Sequence, residues 1–427
     1  MAKVGKNIKN TYKNITYEVT MNKTARGFLL DNMFSMSAFW ACSGSVVAAL
    51  TGYYGFSLPV SNFITGLTAT LPVMQLVGGI MYVRSKHRFA VVRVSNAAWR
   101  LLLPMVFFSV LLPVNIAGAV MVACYFAMVF IYQLSCPAQT DWMVSRVEGN
   151  TDANYYSVRE MCFMLSFTAS SCAVSMILNR AKTHDEYFNA FIIVGILLAA
   201  LLIVSIFTLF SLPPPAQYKQ HKTKKLDLKS VFKNKPYMLV MLSNASWSFS
   251  AMFVGSFAAV YQIQVLHVSF AQIMIWGTVG NIVRSLLTPV MSRIAQRKGW
   301  RYVIILCFSV GLLLALIWFV TTGDIAVFMF PLVLSLGGVP NAGLSVAYLK
   351  MQVASTPADE RSIYFSTTAF CNGIAALTGS ALCSLTISSF QAAEISLKYI
   401  FIIGAACILL SLAFECHNEK KARKIQL

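Results

Sequence analysis

Acidic residues are scarce in this chain. Only 15 Asp and Glu stand among its 427 residues, against 34 Lys and Arg, and charged residues of both signs make up 11%. A soluble domain carries charge on about a quarter of its residues, so a water-exposed surface over most of this length is excluded. Histidine is rarer still: His87, His184, His221, His267 and His417 show no metal-ligand spacing. The ten cysteines contain no CxxC pair and fall almost entirely in apolar runs, where they read as small packing residues rather than a zinc site or disulfide frame. Also missing are the G-x-x-x-x-G-K-S/T phosphate loop, the H-E-x-x-H helix and the G-x-S-x-G elbow. The expectation is a chain with no metal, no cofactor and no enzymatic activity, and no ATP-driven pumping of its own.

What is abundant is apolar length. Hydrophobic residues make up 57% and the mean hydropathy is +0.67, while runs of about 20 apolar residues, the length needed to cross a bilayer core as helix, recur with short polar breaks. Twelve such runs start near Gly27, Val60, Ser95, Ile116, Tyr155, Tyr187, Tyr237, Phe270, Tyr302, Ile325, Ile363 and Ile395. Their length, lack of internal charge and scattered Gly and Pro predict helices rather than the ten-residue alternation of barrel strands. The expected fold class is an all-α membrane protein with twelve transmembrane helices.

The basic residues predict its orientation. One set of loops holds Lys3 to Arg26, Arg84 to Arg100, Lys219 to Lys235, the stretch SRIAQRKGWR at 292–301, and Lys420 to Lys424; the other holds only Arg180, Lys182 and Lys398. Positively charged loops stay cytoplasmic during insertion, so both termini are expected on the cytoplasmic side of a cell membrane. The net charge of +19 is then a topology signal with attraction to anionic lipid, and calls for no nucleic acid.

The chain also repeats itself. Leu30-Asp31-Asn32 aligns with Leu242-Ser243-Asn244, 212 positions on, and Tyr155-Tyr156-Ser157 aligns with Tyr364-Phe365-Ser366, 209 positions on. Two matches at half the chain length predict two pseudo-symmetric six-helix halves, 27–211 and 237–415. A cytoplasmic linker at 212–236, opened by Pro213-Pro214-Pro215, joins them, and cytoplasmic tails occupy 1–26 and 416–427.

At this point the sequence resembles the major facilitator superfamily. That family carries G-x-x-x-D-R-x-G-R-R between helices 2 and 3 and again between helices 8 and 9. Here Gln296-Arg297-Lys298-Gly299-Trp300-Arg301 keeps the Arg, Gly and final Arg but has Gln for Asp, and the first copy keeps Gly79, Arg84 and Arg88 with Val83 for the acid. The resemblance implies a secondary transporter working by alternating access on a small-molecule substrate. It makes Arg84, Arg88, Arg297 and Arg301 gate residues, without the acid that would lock them. It also implies that helices 1, 4, 7 and 10 line the cavity, which nominates Asn32, Gln133, Asn244, Trp247 and Asn341 as substrate contacts. For each of these an interhelical hydrogen bond or simple packing is the alternative.

Charges inside the spans cost about 2.5 to 3.5 kcal/mol at the bilayer centre, so they should face a cavity or a partner. Arg284 lies nine residues, or roughly 13 Å, along its helix from Arg293. It reads as a counter-charge for an anionic substrate or as an ion-pair partner of Glu160. Asp31 is a candidate proton-titrating carboxylate, with pairing to Arg26 or another basic loop residue as the alternative; Glu160 is the second candidate for proton coupling. Asp141 and Lys350, at the inner ends of spans four and ten, are assigned to the inner gate. Gly337-Gly338-Val339-Pro340-Asn341 should break span ten. The function expected is secondary transport of a small polar solute, with an anion as one candidate class and protons as the candidate coupling ion. The alternatives are a non-transporting receptor or scaffold on the same fold, and a membrane enzyme or lipid flippase.

Overall fold

The computed structural model describes residues 22–42, 45–56, 60–61, 64, 68, 71–147, 154–181, 183–215, 228–262, 266, 268, 270–321, 325–357 and 360–426. The basic residues before 22, most of the basic linker at 216–227, Lys182, His221 and His267 lie outside them. Among the described residues the regular elements are all helical. In chain order they are α1 (Lys23–Ala41), α2 (Ser45–Tyr53), α3 (Gln75–Arg84, entered through a 3-10 turn at Leu71–Met74), α4 (Arg88–Phe108), α5 (Val114–Val147), α6 (Asn154–Arg180) and α7 (His184–Ser211). There follow α8 (Leu228–Lys233), α9 (Lys235–Val260), α10 (Phe270–Lys298), α11 (Trp300–Val320), α12 (Ala326–Leu336), α13 (Gly338–Ser355), α14 (Arg361–Ala392) and α15 (Ile400–Gln426).

Nine described helical spans are long and apolar enough to cross a membrane, or ten if α1 and α2 are one broken span. The segment Leu71–Arg84 is apolar but shorter, and α10 is 29 residues long but carries Gln272, Asn281, Arg284 and Arg293. These two stand where the remaining two of the twelve expected spans should be. The protein is a multi-pass membrane protein.

Helix ends follow from local chemistry. Asn22 Oδ1 accepts the amides of Thr24 and Ala25 at 3.0 and 3.2 Å to start α1, and Thr183 with Glu186 forms a capping box on α7. The expected break in span ten shrinks to one residue, Gly337, between α12 and α13. Its amide still reaches Val333 O at 2.8 Å.

The chain packs as two compact units, 1–226 with 357–367, and 227–356 with 368–427. The first turns of α14, expected in the second half, thus group with the first unit. Within the first unit α1 packs on α6 and α7, α4 on α5 and α7, and α3 on α5. Within the second, α9 packs on α15, α11 on α13 and α15, and α10 on α12 and α13. Counted by span, the pairs first–sixth, third–sixth, third–fourth and second–fourth recur as seventh–twelfth, ninth–twelfth, ninth–tenth and eighth–tenth.

Both second–fourth crossings are made close by glycine. A Cβ on Gly78 would run into the backbone carbonyl of Leu134. In the second unit a Cβ on Gly280 would lie 2.5 Å from Leu334 O, and one on Gly338 would meet the carbonyl of Gly280 and, at 3.0 Å, Cβ of Arg284. Small residues let helix backbones approach where lipid supplies no hydrophobic drive between them.

Candidate functional site

The first unit gathers its charges in the interior of its apolar helices. Asp31 sits on α1 and Arg100 on α4, with side chains 2% and 0% exposed. Arg100 grips the carboxylate at both oxygens: Nη1 lies 2.8 Å from Oδ1 and Nη2 donates to Oδ2 at 3.0 Å. Ser205 Oγ of α7 donates to Oδ1 at 3.0 Å, and Gln139 Nε2 of α5 to Oδ2 at 3.2 Å. Arg100 Nη1 also reaches the carbonyl of Ser205 at 3.3 Å. Four helices therefore meet at one carboxylate, which receives a full complement of donors.

The level of this cluster follows from helix arithmetic. Asp31 is eight residues from the start of α1, Arg100 twelve from the start of α4, Gln139 eight from the end of α5 and Ser205 six from the end of α7. At about 1.5 Å per residue these lie roughly 9 to 18 Å in from helix ends that alternation of spans places on one side.

The sequence groups Arg100 with the basic loop starting at Arg84 and places the start of the span near Ser95. The span begins at Arg88 instead, which carries Arg100 into the membrane-crossing part of α4. The partner of Asp31 is accordingly a span arginine and not Arg26. The signal was present: Arg100 is followed directly by Leu101-Leu102-Leu103.

Beside this pair stands a second arginine that sequence reasoning passed over in favour of its neighbour Glu160. Arg159 of α6 donates from Nη2 to Asn32 Oδ1 at 2.5 Å. Asn32, nominated as a substrate contact, is buried next to Asp31. Gln133, from the same nomination, is buried on α5, accepts from Gln75 Nε2 at 2.7 Å and donates to Thr68 O at 3.4 Å. Glu160 is half-buried on α6 and Asp141 half-buried on α5.

At the ends of the same helices the gate candidates of the first unit take local roles. Arg84 is exposed at the end of α3. Arg88 donates to Val83 O at 2.6 Å and lies over the Tyr82 ring, 5.9 Å from its centroid, so it caps the last carbonyls of α3. Neighbouring donors do the same for the start of the linker. Arg93 Nη2 reaches Phe210 O and Leu212 O at 2.9 and 2.8 Å, Trp142 Nε1 reaches Pro213 O at 2.8 Å, and Arg146 donates to Pro214 O.

In the second unit Arg284 lies half-buried on α10 beside Gly338. Trp247 stacks on Phe308 at 5.0 Å and 15°, and its ring fills the space a Cβ on Gly311 would need. Asn244 is half-buried on α9 and Asn341 exposed on α13. Ser243, the repeat counterpart of Asp31, bonds the hydroxyl of Tyr348 at 2.9 Å. Arg297 is exposed in the last turn of α10, Arg301 half-buried at the start of α11 and Lys350 half-buried on α13. Between α10 and α11 stands Gly299 at φ 91° and ψ 155°. This backbone region is essentially reserved for glycine, which explains the one non-charged residue that the loop keeps from the family pattern.

Among the described residues no group of three or more His, Cys, Asp or Glu is arranged to hold a metal ion. The family model for the Major Facilitator Superfamily matches residues 32–380. The chain belongs to the Major Facilitator Superfamily. Solved structures similar to it include a bacterial homologue of the iron transporter ferroportin in an outward-facing state, at TM-score 0.71 and 15% identity over 93% of this chain and 99% of that one. The proton:xylose symporter XylE bound to 6-bromo-6-deoxy-D-glucose is similar at TM-score 0.61 and 14% identity, over 94% and 95% of the two chains. The transporter FucP in the outward conformation is similar at TM-score 0.64 and 10% identity, over 92% and 98%. At these identities the likeness establishes the fold. No curated protein matches the sequence. Membership of this superfamily makes the protein a transporter and not an enzyme.

Proposed function

We propose that the protein is a secondary transporter of a small polar solute in the cell membrane, with both termini cytoplasmic, working by alternating access between its halves. The observation that carries the reading is the polar interior of the first unit. Asp31, Arg100, Gln139 and Ser205, with Asn32 and Arg159 beside them, collect at one level in helices that are otherwise apolar. Charge at that depth is costly unless paired or used, and a purely lipid-soluble cargo would need none of it. Iron, named for one neighbour, is poorly served here, since the Asp31 carboxylate is already filled by Arg100, Ser205 and Gln139.

Proton coupling enters through Asp31 or Glu160. Protonating Asp31 would require Arg100 to let go, so a coupling role for Asp31 is an exchange of partners in which Arg100 swings between the carboxylate and something else. The test is transport in proteoliposomes. Purified protein should exchange a labelled polar solute across the membrane, and an imposed pH gradient should drive net uptake. Asp31→Asn should abolish gradient-driven uptake and leave exchange. Loss of both together would assign Asp31 to the fold, and uptake indifferent to the gradient would remove the proton.

A further inference from the structure

Arg159 is a charge in the first unit that no carboxylate among the described residues balances. Asp31 and Arg100 cancel each other, and Arg159 has no carboxylate within 4 Å among the described residues; its hydrogen bond goes to the neutral Asn32. Its Nε is buried without a hydrogen-bond partner. Glu160 follows it in sequence but points about 100° further round the helix and is engaged by another group. One turn before Arg159, on the same face of α6, Tyr155 is 1% exposed and its hydroxyl is likewise buried with no partner. The two side chains lie within electrostatic reach of one another. The Asp31 carboxylate also reaches Tyr155, but Arg100 neutralises it.

Among the described residues this is a guanidinium with no counter-charge and a phenol with no acceptor, four residues apart on one helix face, and both present unused donors. An anion satisfies both at once, because carboxylate and phosphate oxygens accept from the arginine fork and from a hydroxyl together. We propose that Arg159 and Tyr155 form the anion-binding element of the transport site, with Asn32 holding the guanidinium in place, and that the solute carries a carboxylate or phosphate group. This rests on the transporter reading and names its substrate class. It places a counter-charge in the first unit, whatever part Arg284 plays in the second.

The experiment is a melting series in detergent and anion-free buffer, on wild type, Arg159→Gln, Arg159→Lys and Tyr155→Phe, since a bound ligand stabilises by mass action. The probes are inorganic phosphate, succinate and glucose 6-phosphate, with glucose as neutral and choline as cationic control. At least one anion should raise the wild-type melting temperature by about 2 °C or more. Arg159→Gln should abolish the rise, Arg159→Lys keep part of it and Tyr155→Phe reduce it. Without ligand, Arg159→Gln should melt no lower than wild type, because it removes an uncompensated charge and keeps a donor for Asn32. A lower ligand-free melt, an anion effect that survives Arg159→Gln, or no stabilising anion in the panel overturns the proposal. Exchange assays on the same variants in proteoliposomes separate the two readings. Anion binding through Arg159 without exchange sinks the transporter reading alone, and exchange of a neutral solute untouched by Arg159→Gln sinks the anion assignment alone.

Discussion

Arg100 of α4 holds Asp31 of α1 by both carboxylate oxygens, at 2.8 and 3.0 Å, in a site almost closed to solvent. Sixty-nine residues separate them in the chain. The pair ties the first and third spans together, and Ser205 and Gln139 extend the tie to the sixth and fourth.

Removing one partner of a buried pair leaves the other charge stranded, at a cost of about 3 to 5 kcal/mol. Arg100→Gln is expected to lower the melting temperature in detergent sharply. The double variant Asp31→Asn/Arg100→Gln should recover much of that loss, since no charge is then left alone. If the double variant melts as low as the sum of the singles predicts, the two residues are not energetically coupled.

Gly78 and Gly277 make a matched test of the helix crossings. Adding a methyl at Gly78 meets the Leu134 carbonyl, a backbone atom that moves only if the helices separate. Overpacking of that kind costs about 1 to 3 kcal/mol. Gly277, within α10, has nothing within 4 Å of its would-be Cβ. Gly277→Ala should therefore gain up to about 1 kcal/mol from helix propensity. Thermal unfolding of the two variants should move in opposite directions.

Gly299 carries the turn from α10 to α11 in a backbone conformation other residues avoid. Gly299→Ala should destabilise by about 1 to 3 kcal/mol, although open space surrounds the position. A melting temperature unchanged by the substitution would mean that the turn relaxes without cost.

Arg297, two residues earlier, is exposed, and we propose that it acts as a gate residue. Arg297→Gln should slow exchange in proteoliposomes several-fold with the half-saturating solute concentration little changed, because a gate acts on rate and not on the bound state. An equal loss of affinity would move Arg297 into the binding site.

Some of this was written along the chain. The apolar runs predicted the helices to within a few residues of where α5, α6, α7 and α10 begin, because a membrane-crossing helix must satisfy its own backbone and advertises itself by length. The half-chain repeat reappears as the recurring set of span pairings. Arg297 and Gly299 were visible as a motif, and Asp31 and Asn32 stood out as polar residues in an apolar run.

What only the tertiary structure decided is which charges meet. Arg100 reads as a loop residue because the basic segment before it masks where α4 starts, and Arg159 stands directly beside an acidic residue, Glu160, so that in sequence its charge looks balanced. Pairing Asp31 with Arg100, and leaving Arg159 and Tyr155 with donors to spare, depends on how α1, α4, α6 and α7 lie against one another. Hydropathy records that a residue is inside the membrane. Which partner it finds there is set by helix rotation and by the close crossings that glycines such as Gly78 allow, and neither leaves a period in the sequence.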